Sequence, residues 1–112
     1  MSRAKSGSVI IDTAHEILQK EISTGRALAS SDHGYTIFLT NAGAINITIN
    51  TGLNDNFEAD FIQQGAGTTT FVDGTATVTA PNGLVLTGVG RMASVVKRLA
   101  VDDVLVLGEL TI

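Results

Sequence analysis

The sequence predicts an all-β fold, and three observations support this prediction. Apolar and polar residues alternate with period two in several short segments, which is the spacing of a strand with one buried face. Clusters of Gly, Asn and Asp separate these segments at intervals typical of sandwiches and barrels. The chain has 12 glycines and a single proline, so its turns rely on residues that tolerate positive φ.

We expect about eight strands, arranged as an antiparallel β-sandwich or a jelly-roll-like barrel, because both architectures reduce exposed sheet edges. In chain order the predicted strands are residues 35–40, 44–49, 57–61, 68–71, 76–79, 84–87, 91–99 and 104–107. Within 44–49 the three isoleucines share one face, and within 57–61 the two phenylalanines share a face with Ala59. Asp73-Gly74 is typical of a tight hairpin.

The last two predicted strands flank Asp102-Asp103 and form a hairpin. Alternation alone allows either of two sets of side chains in this hairpin to face the core. The two sets are Val95, Val104 and Val106, or Val96, Leu105 and Leu107. Among the aromatic residues, Phe38, Phe57 and Phe61 fit core positions.

Residues 1–33 lack this regular pattern and are predicted to form an N-terminal arm used in docking and assembly, whereas residues 34–112 form the β-sandwich module. Asp12 is a candidate N-cap, and Ile17, Leu18 and Ile22 lie at helical spacings, so a short helix over 13–22 fits. An extended segment fits almost as well, because residues 9–11 and 21–23 are strand-like. The arm is too short to fold alone.

Composition and charge argue against several classes of protein. The net charge of −4 does not suit binding to nucleic acid, which requires clustered Lys and Arg. The sequence has no cysteine, which removes disulfides and thiolate metal sites. We find no signal peptide and no apolar stretch long enough to span a bilayer, so we expect synthesis in the cytoplasm and no membrane partner.

The residue types that carry catalysis or bind metals are few, so the sequence predicts neither an enzyme nor a cofactor site. The two histidines are His15 and His33, and we interpret Asp32 beside His33 as part of a solvated turn. Residues 54–60 hold several oxygen ligands but lack the Gly and the closing Glu of a calcium loop. We interpret them as a polar hairpin turn followed by a solvent-facing strand.

A small basic cluster lies late in the chain and consists of Arg91, Lys97 and Arg98. We interpret it as an edge strand protected by charge, and a contact with an acidic neighbour is the alternative. The glycine-rich segments 65–67 and 88–90 match no phosphate-binding loop and are interpreted as turns or bulges.

Several segments resemble a module found in structural proteins of tailed bacteriophages, including head decoration proteins and domains of tail fibres or appendages. These segments are Ser31-Asp32-His33-Gly34, residues 63–71, Pro81-Asn82-Gly83-Leu84, residues 93–99 and residues 104–110. Such modules often carry a Trp near the start of the final strand, where this chain has Val104. The resemblance implies a β-sandwich or jelly-roll-like module in a virion, commonly trimeric, with no cofactor and no reaction.

From this resemblance we expect a non-enzymatic protein of the virion, located on the capsid surface. The chain length favours a decoration or cement protein that stabilises the phage head by binding across subunits of the major capsid protein. A tail-fibre or appendage module that binds host-surface glycans is the alternative. We expect a homotrimer or another homo-oligomer. The residues expected to contact the capsid or a partner are Arg3, Lys5, Val9, Ile10, Ile11, Ile17 and Leu18.

Overall fold

The regular structure of the described residues consists almost entirely of strands, which confirms the predicted all-β class. The computed structural model describes residues 18–98 and 102–112. In chain order the described strands are β1 (Leu18–Ile22), β2 (Arg26–Ala27), β3 (Tyr35–Leu39), β4 (Ile45–Ile49), β5 (Glu58–Gln63), β6 (Thr69–Asp73), β7 (Thr77–Thr79), β8 (Val85–Leu86), β9 (Met92–Lys97) and β10 (Asp103–Gly108). One turn of 3-10 helix, Ser30–Asp32, precedes β3.

The strands form two sheets, and the chain crosses between them repeatedly. The six-stranded sheet has the order β1-β3-β5-β9-β10-β7, and the four-stranded sheet has the order β2-β4-β6-β8. In each sheet the first three strands pair in parallel. The chain therefore makes three stacked coils, each with one strand in each sheet. Antiparallel strands extend both sheets: β9 pairs with β5, β10 with β9, and β8 with β6.

The prediction of antiparallel pairing is wrong for the three stacked coils. Alternation in a sequence reports which face of a strand is buried, but not the direction of the neighbouring strand. The predicted hairpin at Asp73-Gly74 is also wrong, because β6 and β7 belong to different sheets. The amide of Gly74 donates to the carbonyl of Ile49 in the preceding coil, at 2.9 Å. This turn is therefore a corner of the stack.

The core lies between the two sheets and is built from apolar residues that stack from coil to coil. In the six-stranded sheet Ile37 lies beside Phe61, and in the four-stranded sheet Ile47 lies beside Phe71. The rings of Phe61 and Phe71 meet edge to face across the core, with centroids 5.1 Å apart. All four side chains are fully buried.

The closing hairpin, β9 with β10, buries Val95, Val104 and Val106. This result decides between the two sets that the sequence left open. The prediction that Phe38 belongs to the core is wrong, because Phe38 alternates with the buried Ile37 and lies only half-buried on the outward side of β3.

The described part of the N-terminal region is extended. β1 is a strand, so the helical alternative for residues 13–22 does not hold from Leu18 onward, and the residues before it lie outside the described ranges. β1 and β2 precede the predicted boundary at residue 33, yet they pair with β3 and β4 beyond it. Residues 18–33 thus form the first coil. The assignment of residues 1–33 to docking stays a prediction.

Consecutive coils approach each other closely at the corner formed by residues 65–67, which stacks on residues 41–43. The amide of Gly67 donates to the carbonyl of Asn41, at 2.9 Å. The buried side-chain amide of Asn41 donates to the carbonyl of Gly43, at 2.8 Å. A Cβ atom at Gly65 would overlap the backbone of Thr40 and Asn41. Glycine is therefore required at Gly65 by close approach of the two backbones.

We predict that Gly65→Ala destabilises the fold by about 2–3 kcal/mol, because the added methyl group forces the two corners apart. Gly43→Ala is the matched control, since a Cβ there meets no atom within 4 Å. The control should change stability by less than about 0.5 kcal/mol. The measurement is urea unfolding of both variants, and equal losses would contradict the stacked corners.

Candidate interaction surface

The outward side of the six-stranded sheet carries an unusual mixture of apolar and acidic side chains. Its residues alternate with the buried core residues along each strand, so they form rows that run across the strands. Adjacent rows are about 7 Å apart, which is the distance between every second residue of a strand. We call this side the outer face, and it contains three rows.

The first row of the outer face is apolar in its centre. Phe38, Ile62 and Met92 are neighbours in register across β3, β5 and β9. Glu21 lies next to Phe38 at one end of the row. At the other end a carboxylate oxygen of Glu109 accepts a hydrogen bond from the amide of Met92, at 3.0 Å. The row is therefore an apolar strip with a carboxylate at each end.

The second row contains a further apolar pair. Val96 on β9 lies beside Leu105 on β10. Glu58 on β5 is the neighbour of Val96 on one side, and Thr79 on β7 is the neighbour of Leu105 on the other. This row therefore ends in a carboxylate on the β5 side and in a hydroxyl group on the β7 side.

The middle row of the outer face is polar except at one end. It consists of Gln19, Thr36, Asp60, Ser94 and Leu107 in successive strands. The hydroxyl of Ser94 donates to the carboxylate of Asp60, at 2.6 Å. This short hydrogen bond holds Asp60 in place between the two apolar rows.

Two shallow depressions open on or beside the outer face. One, of about 150 Å³, is lined by residues 34–36 and 58–60, and the other, of about 240 Å³, is lined by Gln19, Lys20, Glu21 and Phe38. Both are smaller than the sites that enclose drug-sized ligands, which usually exceed about 300 Å³. The outer face is thus better suited to contact with a broad surface than to enclosing a small molecule.

Of the five basic side chains in residues 18–98 and 102–112, four form ion pairs, and Arg91, which precedes β9, is the fifth. Lys20 and Arg26 bind Asp32, Lys97 lies between Asp55 and Asp102, and Arg98 pairs with Asp103. Within the strand positions of the three rows there is no Lys or Arg. The three rows therefore carry negative charge only, and the Arg98–Asp103 ion pair lies beside the second row on the same side of the sheet.

The carboxylate of Asp32 is the most strongly bound charged group in the described residues. Arg26 donates two hydrogen bonds to it, at 2.7 and 2.8 Å, Lys20 donates one at 2.8 Å, and the amide of Ala29 donates one at 2.9 Å. Asp32 is only 1% exposed, so the interpretation of this residue as part of a solvated turn is wrong. Its basic partners lie on β1 and β2, and the sequence pattern alone did not indicate that they meet Asp32.

These ion pairs also alter the ionisation of Asp32. Burial on its own disfavours the charged carboxylate, but the hydrogen bonds from Arg26, Lys20 and Ala29 outweigh it. The net result holds the pKa of Asp32 well below its usual range. The same contact with Asp32 raises the pKa of Arg26.

Within the described residues, the Asp32 cluster lies at one end of the core. Lys20 occupies the position next to Ile37 in register, and Arg26 occupies the position next to Ile47. Both apolar columns, Ile37 with Phe61 and Ile47 with Phe71, therefore end in a basic residue at the first coil, and Asp32 forms an ion pair with both basic residues. Charged residues at a terminal coil are a common way to prevent unwanted stacking at the end of such a structure.

The remaining candidate residues have structural contacts. The ring nitrogen Nδ1 of His33 accepts a hydrogen bond from the amide of Glu58, at 3.1 Å, and does not pair with Asp32. Lys97 is buried and donates to the carbonyl of Leu53, at 2.7 Å. The predicted basic edge strand is therefore wrong, because β9 lies between β5 and β10 and Arg91 precedes it at the opposite end from Lys97 and Arg98.

Of the residues expected to contact a capsid or partner, Leu18 lies in β1 and is 45% exposed. The others, Arg3, Lys5, Val9, Ile10, Ile11 and Ile17, lie outside the described residues. Sequence reasoning did not identify the outer face, because its rows join residues from strands that are far apart in the chain. Its only sequence signal is the apolar residues on the polar side of β3, β5, β9 and β10.

Comparison with known proteins gave no match: no protein-family model, no curated protein and no solved structure matches the chain. Within residues 18–98 and 102–112, no helix combines the length and apolar character needed to cross a membrane. The same residues contain no group of three or more His, Cys, Asp or Glu side chains placed to hold a metal ion.

We predict that Asp32→Asn lowers the free energy of unfolding by about 2–3 kcal/mol, because it leaves Lys20 and Arg26 without their shared carboxylate. The loss should be smaller than for a fully buried ion pair, since both basic side chains can reach water. Asp73→Asn is the matched control, because Asp73 is exposed at the end of β6. Chemical denaturation near neutral pH measures both variants, and equal effects would contradict the role of Asp32.

The effect of Asp32→Asn on the free energy of unfolding should also depend on pH. The pKa of Asp32 is lower in the folded than in the unfolded chain. The ionised carboxylate therefore stabilises the fold fully at pH values well above the unfolded pKa of about 3.9, and this stabilisation is lost as the pH falls below that pKa. The difference in unfolding free energy between the wild-type chain and Asp32→Asn should therefore shrink from about pH 6 to about pH 2. A difference that is constant over this range would contradict the assigned ionisation.

Proposed function

We propose that this chain is a non-enzymatic structural protein of a phage particle, and specifically a capsid decoration protein that binds across subunits of the major capsid protein. The observation that supports this proposal is the resemblance of several segments to phage structural proteins, and these segments lie at the following places in the fold. Residues 63–71 include the close corner at Gly65, and residues 31–34 include Asp32. Residues 93–99 and 104–110 include the strands of the closing hairpin.

A decoration protein acts through binding energy alone. It adds apolar and hydrogen-bonded contacts across the joints between capsid subunits and so favours the assembled shell. A stiff module with a broad outer face is suited to that role. The proposal includes no reaction, and the described His33, Asp32 and Lys97 side chains are held in contacts that stabilise the fold.

The two sheets share one core, which supports describing the module as a two-layer, sandwich-like structure. The parallel pairing of the first three coils favours a short stack of coils over a jelly roll. We further propose that the protein acts as a homotrimer or another homo-oligomer on the capsid surface. In this proposal the N-terminal residues Arg3 and Lys5 reach a neighbouring subunit, and neither nucleic acid nor a membrane is a partner.

Electron microscopy of purified particles tests the location. We expect the protein in a fixed ratio to the major capsid protein, with density spread over the whole head. Density confined to the tail or to one vertex would overturn the decoration role and favour the alternative, a fibre or appendage module that binds host glycans. Absence of the chain from purified particles would overturn both.

A second prediction concerns the stability of the shell. Heads that carry the protein should release their DNA at a higher temperature than heads that lack it, because ligand binding stabilises the state it binds. The measurement is dye-detected DNA release during heating, with Asp73→Asn-decorated heads as a control for a folded, exposed-surface variant. Equal release temperatures for decorated and undecorated heads would contradict a stabilising role.

A further inference from the structure

The outer face presents apolar side chains that the fold itself leaves uncovered within the described residues. Met92 and Leu107 are 42% and 38% exposed, and both lie in the outer face. Phe38, Ile62 and Val96 are half-buried on the same side of the sheet. Apolar side chains grouped on one face, with polar groups around them, are characteristic of protein interaction sites.

The charges of the outer face indicate the chemistry of its partner. Glu21 and Glu109 stand at the two ends of the first row, Glu58 ends the second row, and Asp60 lies between the rows. No basic side chain of the three rows offsets these four carboxylates. A partner that covers the face must therefore supply positive charge next to its apolar side chains.

We propose that the outer face docks on a protein surface that combines exposed apolar side chains with Lys or Arg residues. The apolar residues of the partner would pack on the first and second rows, and its basic residues would meet Asp60 and the glutamates at the row ends. This inference rests on the proposed function, in which the partner is the major capsid protein.

A second copy of the chain is a poorer occupant of this face. Two outer faces in contact would bring carboxylates together, and like charges across an interface are destabilising. Lys20, Arg26, Lys97 and Arg98 are held in ion pairs within the fold, which leaves Arg91 as the one other basic residue of the described ranges.

The first arm of the test measures binding to undecorated heads of the phage that carries this chain. Met92→Lys places a positive charge and a longer side chain in the centre of the docking surface, and we expect at least a tenfold loss of affinity. Val89→Lys is the matched control, because Val89 is an apolar residue that is 69% exposed in a turn outside the outer face. Circular dichroism checks that both variants fold.

The second arm tests charge complementarity. Binding of the wild-type chain should weaken when NaCl is raised from about 0.05 M to about 0.5 M, because salt screens exposed charges. The double variant Glu21→Gln, Glu58→Gln should bind more weakly at low salt and show a smaller dependence on salt. If the double variant binds with the same salt dependence as the wild-type chain, these glutamates do not contribute charge to the interface.

Methionine oxidation by dilute peroxide then identifies the occupant. The sequence has two methionines, Met1 and Met92. Met92 should be oxidised readily in the free chain and protected on heads. Protection of Met92 in the free protein would overturn the proposal, and light scattering would then identify the occupant. An oligomer that Met92→Lys dissociates would indicate a second copy of the chain. A monomer would indicate the chain's own N-terminal segment.

The failures of the two proposals are distinguishable. If the wild-type chain binds heads, and Met92→Lys binds as tightly as Val89→Lys, the decoration role stands and the docking surface is overturned. If the wild-type chain does not bind heads, the decoration role fails and the docking inference fails with it.

Discussion

Parallel stacking of successive coils is the constraint on which the rest of the structure depends. It places Ile37 beside Phe61 and Ile47 beside Phe71, and the edge-to-face contact between Phe61 and Phe71 joins the two sheets. The same register places Phe38 beside Ile62 on the opposite side of the sheet. One backbone arrangement therefore creates both the buried columns and the outward rows. The close corner at Gly65 maintains the stacking distance between the second and third coils.

In the part of the chain that the structure describes, the first coil ends the two apolar columns of the core in basic side chains. Lys20 and Arg26 lie next to Ile37 and Ile47 in register, and the buried Asp32 forms an ion pair with each of them. Basic residues that could lie on the surface are thus used within the fold. The three rows of the outer face carry carboxylates and no basic residue, so the charge of the proposed docking surface is negative.

Much of the strand pattern could be predicted from the sequence, but the pairing could not. Alternation correctly identified the buried face of Ile45, Ile47 and Ile49, because burial is a local property of a strand. Strand direction depends on whether a turn folds back or crosses to the other sheet, and Asp73-Gly74 gave the wrong signal. The burial of Asp32 and the rows of the outer face depend on contacts between distant segments, so they required the three-dimensional structure.

Interstrand proton contacts measured by NMR on the labelled protein test the stacked-coil arrangement most directly. The account predicts contacts in parallel order between β3 and β5, with Thr36 near Asp60, Ile37 near Phe61 and Phe38 near Ile62. The equivalent parallel contacts should join β4 and β6, with Ile47 near Phe71. Contacts that run in the reverse order between these strands would show an antiparallel sandwich, and would contradict the stack together with the outer face that depends on it.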